Sequence, residues 1–336
     1  MKILVTGGAG YIGSTICSAL EEHGHTPVVL DSLVTGPREF AASRIFYEAN
    51  IADQAALSHI FRDHPDIYCT VHCAALRIVP ESMRRPYDYY RENVANSLEL
   101  FKMLPEFGCH RVVFSSSASI YDAISNFNVT ESSPLNPLSP YARTKYMVEM
   151  VLQDLCSAYE LKGLSLRYFN PIGADPKMRT GPPDRNPSHI VGRLVEVALG
   201  NIPEFQITGV DWPTRDGTGI RDYIHVWDLA QAHVQAVEHF DTAVEGAGDS
   251  GSYGVINLGT GNGVTVKEFL EAFQKVYGSK VNYTEAPARP GDIAGAFANV
   301  ERAKDLLGWT TKLTIEDGIS DSLKWSQLRD SVLGKE

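Results

Sequence analysis

Short apolar runs rich in branched residues recur through the first half of the chain: 3–6, 27–30, 68–73, 111–115 and 164–167. Between them lie stretches with apolar residues three and four apart, among them 86–104 and 141–160. Alternation of the two periods predicts an α/β chain with a doubly wound parallel sheet and helices on both faces. Past about Asn170 the rhythm fades. Proline and glycine crowd residues 171–187, PIGADPKMRTGPPDRNP, which reads as a loop entering a smaller, irregular mixed α/β domain. The expected division gives 1–170, with segments returning near 220–260, to the sheet domain and mainly 171–336 to the second. EGAGDSGSYG at 245–254 reads as a solvated surface loop.

The first strand runs into a glycine turn, VTGGAGYIGS, with Gly7, Gly10 and Gly13 spaced G-x-x-G-x-x-G before an amphipathic helix. The first glycine allows the tight turn, the second lets backbone approach a pyrophosphate, and the third lets helix pack on strand. Asp31 ends the second strand, 18 residues past Gly13. A carboxylate there accepts from a ribose 2′-OH and repels a 2′-phosphate, so the sheet reads as Rossmann-type and the cofactor as NAD rather than NADP.

Composition narrows the partners. The 336 residues carry a net charge of −11, against nucleic acid or an anionic membrane as a general partner. No unbroken apolar segment is long enough to span a bilayer, and strand-forming residues begin where a signal peptide would be. Cys17, Cys69, Cys73, Cys109 and Cys156 are odd in number with no CxxC pairing, which reads as reduced thiols in a cytoplasmic protein. No metal is expected.

SPYARTK supplies candidate chemistry. Ser139 caps a helix with Pro140 at its first position, and Tyr141 and Lys145 share one face. A free phenol titrates near pH ~10, and a neighbouring ammonium favours the phenolate, so the pair suits proton transfer. Upstream, VVFSSSASIY is a strand running into a serine-rich loop at the sheet end where ligands bind, and Ser117 is placed to orient a reacting hydroxyl.

Together these stretches resemble the extended short-chain dehydrogenase/reductase superfamily, and within it the UDP-glucose (UDP-galactose) 4-epimerase family. The resemblance covers VTGGAGYIGS, FSSSASIY, SPYARTKYMVE, LRYFNPIGA, DGTGIRDYIHVWDLA, INLGTG and ARPGD, in order and nearly end to end. It implies that Tyr141, Lys145 and Ser117 are catalytic and that NAD stays bound while the sugar C4 is oxidised and reduced again. Implied cofactor contacts are Gly7, Gly10, Tyr11, Ile12, Gly13, Asp31, Ser32, Asn50, Ile51, Cys73, Ala74, Ala75, Arg77, Asn93, Ser115 and Tyr168, besides Tyr141 and Lys145. Implied substrate contacts, beyond Ser117 and Tyr141, are Asn170, His189, Arg221, Arg289, Asp292 and Ala296, the arginines clamping the diphosphate. The family is commonly homodimeric through helices matching 86–104 and 141–160.

The chain also departs from that pattern. Asn50 stands where the family often has Asp, Arg77 where it has Lys, Asp122 where it has Gly, and His189 where it has Asn. Ala296 falls at the position that limits sugar size, and a small residue there leaves room for a 2-N-acetyl group. Among alternatives, 4,6-dehydratases place an Asp-Glu pair after the loop hydroxyl, whereas Ser117 is followed by Ala118 and Ser119. A UDP-uronic acid 4-epimerase stays open. A non-enzymatic NAD-binding regulator fits poorly with a chain that keeps Tyr141, Lys145 and Ser117.

Overall fold

The structure is a computed structural model that describes residues 1–248, 250–288 and 293–334. Seven parallel strands form its central sheet: β1 (Lys2–Thr6), β2 (Thr26–Asp31), β3 (Ile45–Glu48), β4 (Ile67–His72), β5 (Arg111–Ser115), β6 (Lys162–Tyr168) and β7 (Tyr253–Leu258). Their order is β7-β6-β5-β4-β1-β2-β3. Direction of travel reverses between β1 and β4, which opens a crevice at the strands' carboxyl ends.

The near-continuous apolar runs of the strands follow from burial on both faces. On one face Ile3, Val5, Val71, Val113 and Leu164 pack with α1 (Tyr11–Glu22) and α5 (Val226–Glu238). On the other Leu4, Val28, Val112 and Phe114 pack with α2 (Gln54–Asp63), α3 (Asn96–Glu106) and α4 (Pro140–Ala158). Successive residues of β1 thus enter opposite cores, the period of two made physical.

Two readings need correction. The helical stretch 86–104 is not one regular helix: a π-helical turn, Tyr90–Ala95, separates Pro86–Tyr89 from α3. Such a turn widens the ladder locally and re-aims its side chains, here turning Asn93 inward. Nor is 245–254 a loop throughout. Helix Phe240–Ala247 occupies its start, because Ala243, Val244 and Ala247 are buried, and β7 takes its end by pairing with β6.

Within residues 171–334 a separate core forms from Val191, Leu194, Phe269, Phe273 and Ile319. Strand Ile220–Arg221 pairs in parallel with strand Gly295–Ala298, which sets Arg221 beside Ala296. Helix Val266–Tyr277 starts at a Thr265/Glu268 capping box and stops at Gly278, whose φ of 80° suits glycine.

Candidate active site

A cleft of about 1110 Å³ runs along the carboxyl ends of the strands and reaches Arg221 and Ala296. That is more than one small ligand needs and fits two side by side.

At one end the chain turns from β1 into α1. Gly7 has φ +70°, and a Cβ there would lie 2.6 Å from the Ala74 nitrogen. A Cβ on Gly13 would lie 2.2 Å from the Gly7 carbonyl oxygen, so glycine is required for helix and turn to touch. Gly10 caps α1 without a side-chain partner, and no acid stands in its first turn. The first N–H groups of the helix are therefore left for an anion. Asp31 closes the site: Oδ2 accepts from the Ala9 N–H at 3.0 Å and Oδ1 from the Leu33 N–H at 2.8 Å. Each oxygen keeps a lone pair for a sugar hydroxyl. Burial raises the Asp31 carboxyl, and the two backbone donors pull it back. Tyr11, Ile12, Ser32, Asn50 and Ile51 continue this wall. The Asn50 side-chain oxygen already accepts from the Ala52 N–H at 2.9 Å. This cradle fits a dinucleotide with a free ribose 2′-hydroxyl.

Cys73, Ala74, Ala75 and Arg77, on the loop after β4, line the middle of the cleft. Burial pushes the Cys73 thiol up to about 11, so it stays protonated, with its sulfur 3.1 Å from the Ser115 hydroxyl. Arg77 pairs with Asp184 at 2.6 Å. Two expected cofactor contacts do not reach the wall. Asn93 is buried behind it, its Oδ1 accepting from the Leu76 N–H at 2.7 Å and its Nδ2 donating to the Leu76 carbonyl and the Thr144 hydroxyl. Ser115 is buried too, its hydroxyl 2.9 Å from His233 Nε2 and its carbonyl accepting from Lys145 Nζ at 2.7 Å. Both shape the wall from behind.

Helix α4 delivers Tyr141 and Lys145. Ser139 caps it by accepting from the Ala142 N–H at 3.1 Å, and Pro140 begins it. Both side chains line the cleft, with Ser117 beside Tyr141 on the turn after β5. Burial lifts the Tyr141 phenol, while the Ser117 hydroxyl and the Arg77 charge draw it down. Burial brings Lys145 down to about 8, against the opposing pull of Cys73 and Glu149. Its ammonium also sits 4.8 Å from the centre of the Phe114 ring. The phenol, the ammonium and the serine hydroxyl thus share one wall, the arrangement that general acid–base chemistry on a hydroxyl requires.

Tyr168, Asn170, His189, Arg221 and Ala296 also line the cleft, Tyr168 close to Tyr141 and Cys73. His189 loses basicity to burial and, to a lesser degree, to Arg77, and so presents a neutral ring. The Arg221 guanidinium is braced by the carbonyls of Ile220 and Ala294 at 2.7 and 3.0 Å. Arg289 and Asp292 lie outside the described residues. The motifs did not single out Ser119, Phe169, Val79 or Met83 as ligand contacts, though all four line the cleft. Of these, Ser119 had a signal, two residues past Ser117 in the same loop, and the two hydroxyls are 2.9 Å apart.

Known proteins share this architecture. The chain is 41% identical over 97% of its length to the UDP-glucose 4-epimerase of Bacillus subtilis, of which 96% is covered. A crystal structure of UDP-glucose-4-epimerase from Stenotrophomonas maltophila with bound NAD and formylated UDP-arabinopyranose superposes with a TM-score of 0.91. It is 37% identical, with 98% of this chain and 99% of that one covered. The UDP-Glc/GlcNAc 4-epimerase of Campylobacter jejuni superposes at 0.81, with 34% identity and 97% and 99% covered. The model of the NAD dependent epimerase/dehydratase family matches residues 3–259. By sequence and fold alike, the chain belongs to the NAD dependent epimerase/dehydratase family.

Proposed function

We propose that this protein interconverts the C4 epimers of a UDP-hexose. The observation that carries the reading is one cleft wall that holds Tyr141, Lys145 and Ser117 between the glycine turn of α1 and the Arg221–Ala296 strand pair. Bound NAD supplies a reversible acceptor for the hydrogen at C4. Gly7, Gly10, Gly13 and Asp31 are the residues to hold it, with Lys145 on the ribose beside its reactive end. Tyr141 takes the proton of the sugar 4-hydroxyl through or beside Ser117, and gives it back after the 4-keto sugar has turned over. The Ser117 hydroxyl and the Arg77 charge favour the Tyr141 phenolate, and Lys145, charged below about pH 8, stands one helical turn further along α4. Arg221, with Arg289, clamps the diphosphate, so one acidic protein can hold a dianion while the sugar end rotates. Asn170 reaches the sugar diphosphate, and His189 stands at the cleft wall where the family has a substrate-contacting Asn.

The loop after Ser117 carries Ala118 and Ser119 in place of a second acid–base pair, which favours epimerisation over elimination of water. Ala296, small and at the cleft wall, favours acceptance of N-acetylated UDP-hexosamines as well. Five cysteines without a disulfide fit the cytoplasm. Leu98, Met147 and Met150, exposed on α3 and α4, fit a homodimer through those helices. None of the helices among the described residues is long and apolar enough to cross a membrane.

The test is a panel of UDP-galactose, UDP-GalNAc and UDP-glucuronic acid with product identification. Conversion of UDP-galactose to UDP-glucose without added reductant is expected. Turnover of the uronic acid alone, or release of a 4-keto-6-deoxy sugar, would refute the reading.

A further inference from the structure

A buried charge pair stands behind the serine turn. Glu149 lies one helical turn past Lys145 on α4 and is 3% exposed, while Arg167 on β6 is 5% exposed. Glu149 Oε2 accepts from Arg167 Nη2 at 2.6 Å, and Oε1 accepts from Nε at 3.0 Å. The Ser116 hydroxyl also donates to Oε1. Arg167 Nη1 donates to the Tyr121 phenol oxygen at 3.0 Å, and that phenol donates to Asn257 Oδ1 at 2.6 Å. The Ser116 N–H donates to the Leu166 carbonyl at 2.9 Å.

Stability alone is a poor reason for such a pair, because an apolar pair of equal volume often serves as well or better. Its connections suggest another. Glu149 and Lys145 ride on one helix, and Lys145 Nζ is bonded to the Ser115 carbonyl at 2.7 Å, while Glu149 holds the side chain of the next residue. Ser117 follows directly. Two ties one turn apart on α4 thus fix the end of β5, and with it the hydroxyl that must meet Tyr141. Arg167 in turn is one residue before Tyr168 and three before Asn170, both on the cleft. The pair joins the two pieces of backbone that carry the reacting groups to the strand that carries Tyr168 towards the cleft.

Resting on the epimerase reading, we infer that Glu149, gripped by Arg167, is a positioning residue. It clamps Ser116 so that the Ser117 hydroxyl stays at its working distance from Tyr141. Neither residue touches the sugar.

Ser116→Ala tests this with least damage, since it removes one buried hydroxyl and leaves the ion pair whole. In the holoenzyme kcat for UDP-galactose should fall about 10-fold with KM within about twofold of wild type. In a Ser117→Ala background the same change should cost less than about twofold, because the clamp then positions nothing. Amide hydrogen exchange of residues 115–119, read without substrate, should rise while β1 and β4 stay protected. Glu149→Gln should move all readouts the same way; should it fail to fold, Ser116→Ala carries the test. Wild-type kcat in Ser116→Ala, equal losses in both backgrounds, or unchanged exchange overturns the inference. A wild-type enzyme inactive on every UDP-hexose refutes the parent reading instead, and the exchange result still decides the clamp.

Discussion

Gly10 and Gly13 belong to one motif, yet the structure separates what each glycine does. Gly10 has φ −76° and ψ 169°, a conformation open to any residue. A Cβ there meets only the Gly7 carbonyl oxygen, at 3.3 Å, so the protein need yield by a few tenths of an ångström. Alanine costs a few tenths to about 1 kcal/mol as a helix cap, and stiffening the unfolded chain returns about 0.4–1 kcal/mol. Gly10→Ala should therefore leave the NAD-free protein within about 1 kcal/mol of wild type, a Tm change of roughly 4 °C or less. Its methyl would stand where a pyrophosphate must approach the helix, so NAD affinity should drop at least about 10-fold, about 1.4 kcal/mol. Gly13→Ala differs. Its Cβ would lie 2.2 Å from the Gly7 oxygen, 2.9 Å from the Gly7 carbonyl carbon and 3.0 Å from the Gly8 Cα, all backbone. Relief requires α1 to move by about 1 Å, at about 1–3 kcal/mol, and should lower stability and NAD binding together. Calorimetric melting of NAD-free protein, with titration of NAD, separates the two. A Gly10→Ala protein that binds NAD as tightly as wild type, or melts as low as Gly13→Ala, would show the reasoning to be wrong.

Tyr141→Phe should cut turnover by about 10²- to 10⁴-fold with NAD retained, measured as initial rate and as NAD released on acid treatment. Loss of the cofactor along with activity would make Tyr141 a binding group instead. Ala296→Tyr should lower turnover of UDP-GalNAc at least about 10-fold and leave UDP-galactose largely unaffected; equal N-acetyl rates in both proteins would contradict a size limit at this position. Burial holds His72 down to about 3 and His233 down to about 4. The unfolded chain takes up protons at both below about pH 6.5, so the stability they contribute is present above that pH and is lost as it falls towards 4. The slope is about 1.4 kcal/mol per pH unit for each histidine. Denaturant midpoints from pH 7 to 5 should fall and should fall less steeply in His233→Gln; an identical slope in that variant would place the acid sensitivity elsewhere.

Local chemistry made the first half of the chain readable. Alternation in β1 and its neighbours, the spacing of Gly7, Gly10 and Gly13, and a Ser139–Pro140 helix start each write their geometry into a few adjacent residues. What stayed hidden depends on pairing across the chain. Nothing near Arg167 announces that its partner is Glu149, 18 residues earlier on another element. Asn93 and Ser115 carry the right chemistry for the cleft, but the π-helical turn and the end of β5 aim their side chains into the protein. Likewise β7 reads as a strand only once β6 stands beside it. The diphosphate clamp proposed for Arg221 and Arg289 rests on the resemblance of the RDY and ARPG stretches alone, since a lone arginine reads equally as a surface ion pair.

On the proposed reaction, hydrogen leaves C4 of the sugar and returns to the same carbon while the cofactor stays in its cradle. UDP-galactose labelled with deuterium at C4 tests it most directly, incubated with purified protein and no added NAD. UDP-glucose should form with the deuterium still at C4, no label in water, and many turnovers per bound NAD. Loss of the label to solvent, or turnover that stops after one equivalent unless NAD is supplied, would contradict it.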